Sequence, residues 1–140
     1  MRMMIDTNIF LDVFLQREPF FANSWAVLQL CEEGKISGVL SASTVTDIFY
    51  LSHRFFYNNN EAYKIVGHVL DIAKVLSVIS GDVLSTYMQR AFDFEDCLLA
   101  VCAKTNHCDG IITRNKKDFE GFNIAVVTPD EFLARLTLST

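Results

Sequence analysis

Proline and glycine are scarce, at two and six among 140 residues. That scarcity excludes collagen-like and low-complexity chains. Charged residues make up only 21% against 51% hydrophobic, which excludes a disordered tail or a polar linker. No apolar run approaches the ~20 residues that span a bilayer. The opening Met1-Arg2-Met3-Met4-Ile5-Asp6 meets an acid after a few apolar residues, unlike a secretory leader. A soluble, cytoplasmic protein is expected. Positive charge is also in short supply: 12 Lys and Arg face 17 Asp and Glu, for a net charge of −5. Proteins that hold nucleic acid by general charge attraction are normally basic. If this chain handles nucleic acid, it needs metal cations in the site, a local basic patch or a basic partner. The same acidity suits a partner rich in Arg and Lys. The cysteines Cys31, Cys97, Cys102 and Cys108 form no C-x-x-C pair, so no zinc ribbon or thioredoxin-type site is expected. They read as buried free thiols of a reducing compartment. His53, His68 and His107 are scattered, with no H-E-x-x-H pattern, and read as packing or surface residues.

What is present is one domain's worth of chain, read as a single domain over residues 1–140, able to bury a core without disulfides. Short apolar runs alternate with longer amphipathic ones. Strands are expected at 3–5, 38–40, 75–78, 110–113 and 124–127. Helices are expected at 18–33, 43–56, 61–74, 81–90 and 93–106, with Asn58-Asn59-Asn60 as a loop. Pro19 is placed in the first turn of its helix and Gly34 just past its end. The third helix of this series, 61–74 included, carries apolar residues at helical spacing, as does 43–56 through Val45, Ile48, Phe49, Ser52, Phe55 and Phe56. Phe94, Cys97, Leu98, Val101 and Cys102 are expected to face the core. Thr128-Pro129-Asp130-Glu131 opens a last helix, with a cap, a first-turn proline and acids at the positive end of the dipole. Strands separated by helices imply right-handed crossovers and a parallel sheet covered on both faces. The strands are continuous apolar runs, as such a sheet requires. The expected fold is a three-layer α/β/α sandwich on a five-stranded parallel sheet.

In that architecture ligands bind at the carboxyl edge of the sheet, where strand order switches. Acids from four separate segments of the chain fall there. Asp6 ends the first strand, where an acid breaks an apolar pattern with no obvious cap to make. Asp47 is placed in the first turn or so of the helix after the second strand. Asp93 and Asp96 open the helix before the fourth strand, three residues apart and so on one face. Asp118 follows the fourth strand. Singly, each acid near a helix start has a structural explanation in the helix dipole. Together they repel unless a cation sits between them. Oxygen donors without His or Cys favour Mg²⁺ or Mn²⁺ over zinc, and Mg²⁺ favours phosphate chemistry.

Three segments carry a family resemblance. Ile5-Asp6-Thr7-Asn8-Ile9-Phe10-Leu11-Asp12 resembles the opening motif of PIN-domain proteins. Asp93-Phe94-Glu95-Asp96-Cys97-Leu98-Leu99-Ala100 resembles their third acidic motif, and Ile112-Thr113-Arg114-Asn115-Lys116-Lys117-Asp118-Phe119 their fourth. The motifs span essentially the whole chain, and its size is most similar to the VapC-type toxins of bacterial toxin–antitoxin pairs. The resemblance implies sheet order 3-2-1-4-5. It implies a Mg²⁺- or Mn²⁺-dependent endoribonuclease acting on RNA, a homodimer, and inhibition by a small basic antitoxin. Asp6, Asp96 and Asp118 match family acids. Asp47 stands where the family often has Glu, one methylene longer. The fourth acid's place varies between the positions of Asn115 and Asp118; Asp118 is taken as the ligand and Asn115 as a polar helper. Asn8 and Thr113 are expected to orient carboxylates, and Asp93 to support the site or to cap its helix. Arg114, Lys116 and Lys117 either grip RNA phosphates or form a solvated charge run.

Two other readings share parts of this pattern. A phospho-acceptor receiver domain needs paired acids after strand one and a Lys after strand five; here Asp6-Thr7-Asn8 and Thr128-Pro129 stand in those places. A non-catalytic PIN-like interaction module with a weakened metal site is favoured by Asp47 in place of Glu. The phenylalanines Phe10, Phe14, Phe20, Phe21, Phe49, Phe55 and Phe56 either complete the core or form a groove for a second copy or an antitoxin.

Overall fold

The computed structural model describes residues 1–139. Five parallel strands, β1 (Arg2–Ile5), β2 (Ser37–Ser41), β3 (Lys74–Leu76), β4 (Gly110–Ile112) and β5 (Val126–Val127), form one sheet in the order β3-β2-β1-β4-β5. Seven helices connect and cover it: α1 (Thr7–Phe14), α2 (Phe21–Glu32), α3 (Ala42–Phe56), α4 (Asn59–Ile72), α5 (Ser80–Gln89), α6 (Phe94–Thr105) and α7 (Pro129–Ser139). A 3-10 turn, Lys116–Phe119, follows β4. None of the helices is long and apolar enough to cross a membrane, among the described residues.

Side chains of a strand alternate between faces, and the core divides accordingly. Met3 and Ile5 of β1 pack with α1, α2, Ile48 of α3, Ile65 of α4 and Phe132 of α7. Met4, one residue out of phase, packs on the opposite face with Leu99, Ala100 and Ala103 of α6 and with Phe119. The three layers are therefore as expected, with α6 and the 3-10 turn on one face and α5 packed against α6.

The element reading needs several corrections. α1 was not expected. It spans only eight residues, and its polar positions Thr7, Asn8 and Asp12, which share one side, read as motif residues after the strand rather than as the polar face of a helix; Ile9, Phe10, Leu11, Asp12 and Val13 are all buried. Asp6 does make a cap: it is the N-cap of α1, and its Oδ1 accepts from the Thr7 backbone N–H at 2.8 Å. The helix expected at 18–33 begins only at Phe21, and Pro19 lies in the preceding turn. Asn58 is the N-cap of α4, and Asn59 and Asn60 are helical rather than loop. Lys74 opens β3 instead of closing that helix. Asp47 sits in the second turn of α3, because Ser41 is the N-cap and Ala42 the first helical residue. Phe94, at the exposed start of α6, does not face the core, whereas Leu99, Ala100 and Ala103 do. Of the seven phenylalanines weighed above, Phe10 is buried, while Phe20, Phe55 and Phe56 are exposed. The four cysteines are free thiols, three of them buried. His68 stacks on Phe14 and His53 on Phe49, ring packing of the expected kind.

Candidate active site

Strand order reverses at β1, which is flanked by β2 on one side and β4 on the other. The chain therefore leaves β1 and β4 in opposite directions, opening a crevice at their carboxyl ends. The register pairs Ile5 with Ile112, so the next residues, Asp6 and Thr113, come out side by side. Thr113 is fully buried and its hydroxyl donates to Asp6 Oδ2 at 2.7 Å. Asn8 Nδ2 donates to the same Asp6 oxygen at 3.3 Å. The Thr113 hydroxyl in turn accepts from the Asn115 backbone N–H at 3.1 Å. The Asp6 carboxylate is thus held on both oxygens. Burial nevertheless pushes its pKa up, against the hydrogen bonds from Thr113 and Thr7; Asp118 adds repulsion.

Asp96 comes from the first turn of α6, which Asp93 caps by accepting from the Asp96 backbone N–H at 2.9 Å. The Asp96 carboxyl is pushed up to about 6, by burial first and then by repulsion from Asp93, Asp6 and Asp118. Asp118, in the 3-10 turn after β4, borders with Asp96 a groove of 430 Å³. Asp6, Asp93, Asp96 and Asp118 therefore share one field at the carboxyl edge. Asn115 is exposed and lies instead beside Phe20 and Thr128, in a separate cleft.

Asp47 reaches this group through a residue the sequence reading passed over. Glu95, beside Asp96, is pushed up to about 7, first by its hydrogen bond with Asp47, then by burial, then by repulsion from Asp47, Asp93 and Asp96. Two carboxyl groups can hydrogen-bond only by sharing a proton, so the pair carries one between them. Glu95 and not Asp47 lines the small crevice, 10 Å³ or about one water, that Asp6 and Asp96 also border. The signal was available: Glu95 lies between two acids already singled out, on the same first turn.

The three basic residues have different surroundings. Arg114 forms a two-pronged ion pair with the fully buried Asp12, Nε to Oδ2 at 2.6 Å and Nη2 to Oδ1 at 3.0 Å. Its guanidinium lies 3.9 Å from the centre of the Phe20 ring, and Asp12 also accepts from the Ser24 hydroxyl. Lys116 pairs with Glu131 at 3.1 Å. Lys117 is exposed on the rim of the groove that holds Asp96 and Asp118. The signal for the Arg114 pair was Asp12 itself, an acid inside an otherwise apolar run.

A divalent cation suits this donor set. The donors are all oxygens, Asp118 repels Asp6, Asp93, Asp6 and Asp118 repel Asp96, and the nearest guanidinium is committed to Asp12. Among the described residues no three acids, histidines or cysteines stand close enough together, as placed, to hold a metal ion by themselves; Asp6 and Asp96 border one crevice and Asp96 and Asp118 the groove beside it, so a cation here would keep several waters, as Mg²⁺ does.

Residues 2–117 match the sequence pattern of the PIN domain. The chain belongs to the PIN-domain family. No curated protein matches it in sequence. Its fold is that of several toxin–antitoxin structures. DNA-bound VapBC from Salmonella typhimurium superposes with a TM-score of 0.72 at 16% identity, over 92% of this chain and 98% of that one. VapBC2 from Rickettsia felis, bound to a DNA fragment from its promoter, gives 0.71 at 14% identity, over 91% and 98%. VapC20 from Mycobacterium tuberculosis, a toxin that cleaves the sarcin–ricin loop, gives 0.61 at 10% identity, over 78% and 86%.

Proposed function

We propose that the protein is an endoribonuclease that uses Mg²⁺ or Mn²⁺ to hydrolyse RNA phosphodiesters, and that it is the toxin of a toxin–antitoxin pair. The observation that carries this reading is the convergence of Asp6, Asp96 and Asp118, from three separate elements, at one sheet edge, where Asp118 repels Asp6 and both repel Asp96. Membership of the PIN-domain family and the likeness to VapBC structures support it.

In this reading Asp6, Asp96 and Asp118 hold the metal. When bound, the ion supplies Lewis-acid polarisation of the phosphate and a more acidic water. Thr113 and Asn8 hold Oδ2 of Asp6 and the Thr7 backbone N–H holds its Oδ1, three donors that aim the carboxylate and favour its anion. Asp93 orients the Asp96 backbone. Asp47 acts at one remove, as the acceptor that fixes Glu95. Lys117 grips a phosphate flanking the cut; Arg114 keeps its place at the wall of the site through Asp12, and Lys116 sits behind on Glu131. The protein works in the cytoplasm, as a homodimer. Its antitoxin is small and basic, and an antitoxin Arg or Lys enters the carboxylate cluster.

The test is cleavage of a mixed pool of structured RNAs with Mg²⁺ or Mn²⁺, beside EDTA and Asp96→Asn controls. Activity that disappears with both is expected. Activity that survives Asp96→Asn would overturn the site. A second reading, an interaction module without catalysis, is favoured by Asp47 in place of Glu and its engagement by Glu95. It requires that millimolar Mn²⁺ leave the melting temperature unchanged; the nuclease reading requires a rise as the metal saturates.

A further inference from the structure

α5 ends at Arg90, whose left-handed backbone (φ 52°) breaks the helix. The Arg90 guanidinium lies over the Tyr87 ring at 4.4 Å and donates to its hydroxyl at 3.0 Å. Three residues later Asp93 caps α6. The short link between these two anchors carries Phe92, which is fully exposed. A phenyl ring wholly in water adds nothing to the core. Its place is specific all the same. Phe92 borders the same 430 Å³ groove as Asp93, Asp96, Lys117 and Asp118, with the partly buried Phe122 also on its wall.

We infer that Phe92 is the stacking platform for the unpaired base next to the scissile phosphate. The inference rests on the nuclease reading above and adds to it a positioning residue. Every base has a face that stacks on an aromatic ring, whereas a base inside a helix has that face covered. The groove offers what one nucleotide needs: a ring for its base, Lys117 for its phosphate and carboxylates for the cation on the phosphate. Its volume lies within the range of about 300–1,000 Å³ typical of ligand clefts. A second copy of this chain is a poorer occupant of the groove. Each copy carries a net charge of −5, and a symmetric contact here would set the same carboxylates against each other. Phe92 is a substrate-positioning residue and takes no part in bond breaking.

The test is binding of a short single-stranded RNA carrying 2-aminopurine, whose fluorescence falls on stacking, in Ca²⁺ with the RNA recovered intact. Wild type, Phe92→Tyr and Phe92→Ala are compared, each checked for an unchanged melting curve. Phe92→Tyr should bind and quench like wild type. Phe92→Ala should bind roughly 5- to 150-fold more weakly, the range one stacked base contributes, and should lose the quench. A duplex of the same sequence should bind both forms equally. Equal single-strand binding and quenching by Phe92→Ala overturns the inference. So does a Phe92→Ala protein that turns from dimer to monomer in sedimentation yet keeps its RNA affinity, since the ring then belongs to an interface between copies. If wild type cleaves RNA in a metal-dependent way while Phe92→Ala binds normally, only this inference fails. If wild type neither cleaves nor binds RNA, the nuclease reading fails with it.

Discussion

Asp12 has no solvent exposure, and its only cationic partner among the described residues is Arg114. Removing one member of a buried pair leaves the other charge uncompensated, at a cost of about 3–5 kcal/mol. Arg114 keeps some contact with water, so Asp12→Ala should lie near the low end, about 3 kcal/mol, by urea denaturation. Lys116→Ala breaks an exposed pair and should cost less than about 1 kcal/mol in the same assay. Arg114→Lys should behave closer to a loss than to a conservative change, because a single ammonium can neither fork onto Asp12 nor lie flat on Phe20. The acids of the site predict a pH effect of unusual sign. Asp96 titrates near 6 and Glu95 near 7 in the folded chain, above their ordinary values. The native state thus holds more protons than the unfolded state between about pH 4 and 7, and stability must fall as pH rises through that window. Thermal melts of the metal-free protein should show that fall. Asp96→Asn should flatten the lower part of it, and Mn²⁺ should offset it in the wild type.

At the scale of the element, β4 shows how tightly the site edge is set. A Cβ on Gly110 would stand 2.9 Å from the Ala125 carbonyl oxygen, a backbone atom that cannot swing away. Gly110→Ala should therefore force β4 from β5 and cost about 1–3 kcal/mol, read from the denaturation midpoint. Because Thr113 follows β4 directly, the same variant should also weaken Mn²⁺ binding. The sheet and its order were legible because β strands separated by helices leave few topologies, and because three short motifs carried the family's order. α1 was passed over for the opposite reason: its eight residues span barely two turns, too short a stretch for the period of Thr7, Asn8 and Asp12 to stand out from the family motif they belong to. Its cap, Asp6, was visible as an anomaly whose cause was the very helix left out. Asp6, Asp96 and Asp118 could be placed on one edge from topology alone. The Asp47–Glu95 and Asp12–Arg114 pairs could not, since each joins segments far apart in the chain through side-chain reach rather than through sheet register.

At the scale of the whole molecule, acid dominates everywhere, and the site is no exception. In the nuclease reading a divalent ion would do two things at once: it would offset the burial and repulsion that lift Asp96, and it would make an acidic surface hospitable to a polyanion. The clasp of Arg114 on Asp12 bears on this in a way that salt can reveal. Of the basic residues near the site, one is buried in structure, one is paired with Glu131, and only Lys117 borders the groove. Few condensed counterions are then displaced when RNA arrives. The slope of log affinity against log monovalent salt should be shallow, near −0.7 for one neutralised phosphate on a single strand, where a basic RNA-binding groove shows several times that. A nuclease of the proposed kind would find its substrate by shape and metal rather than by attraction at a distance, and would ignore the bulk of cellular RNA that a positively charged surface would collect.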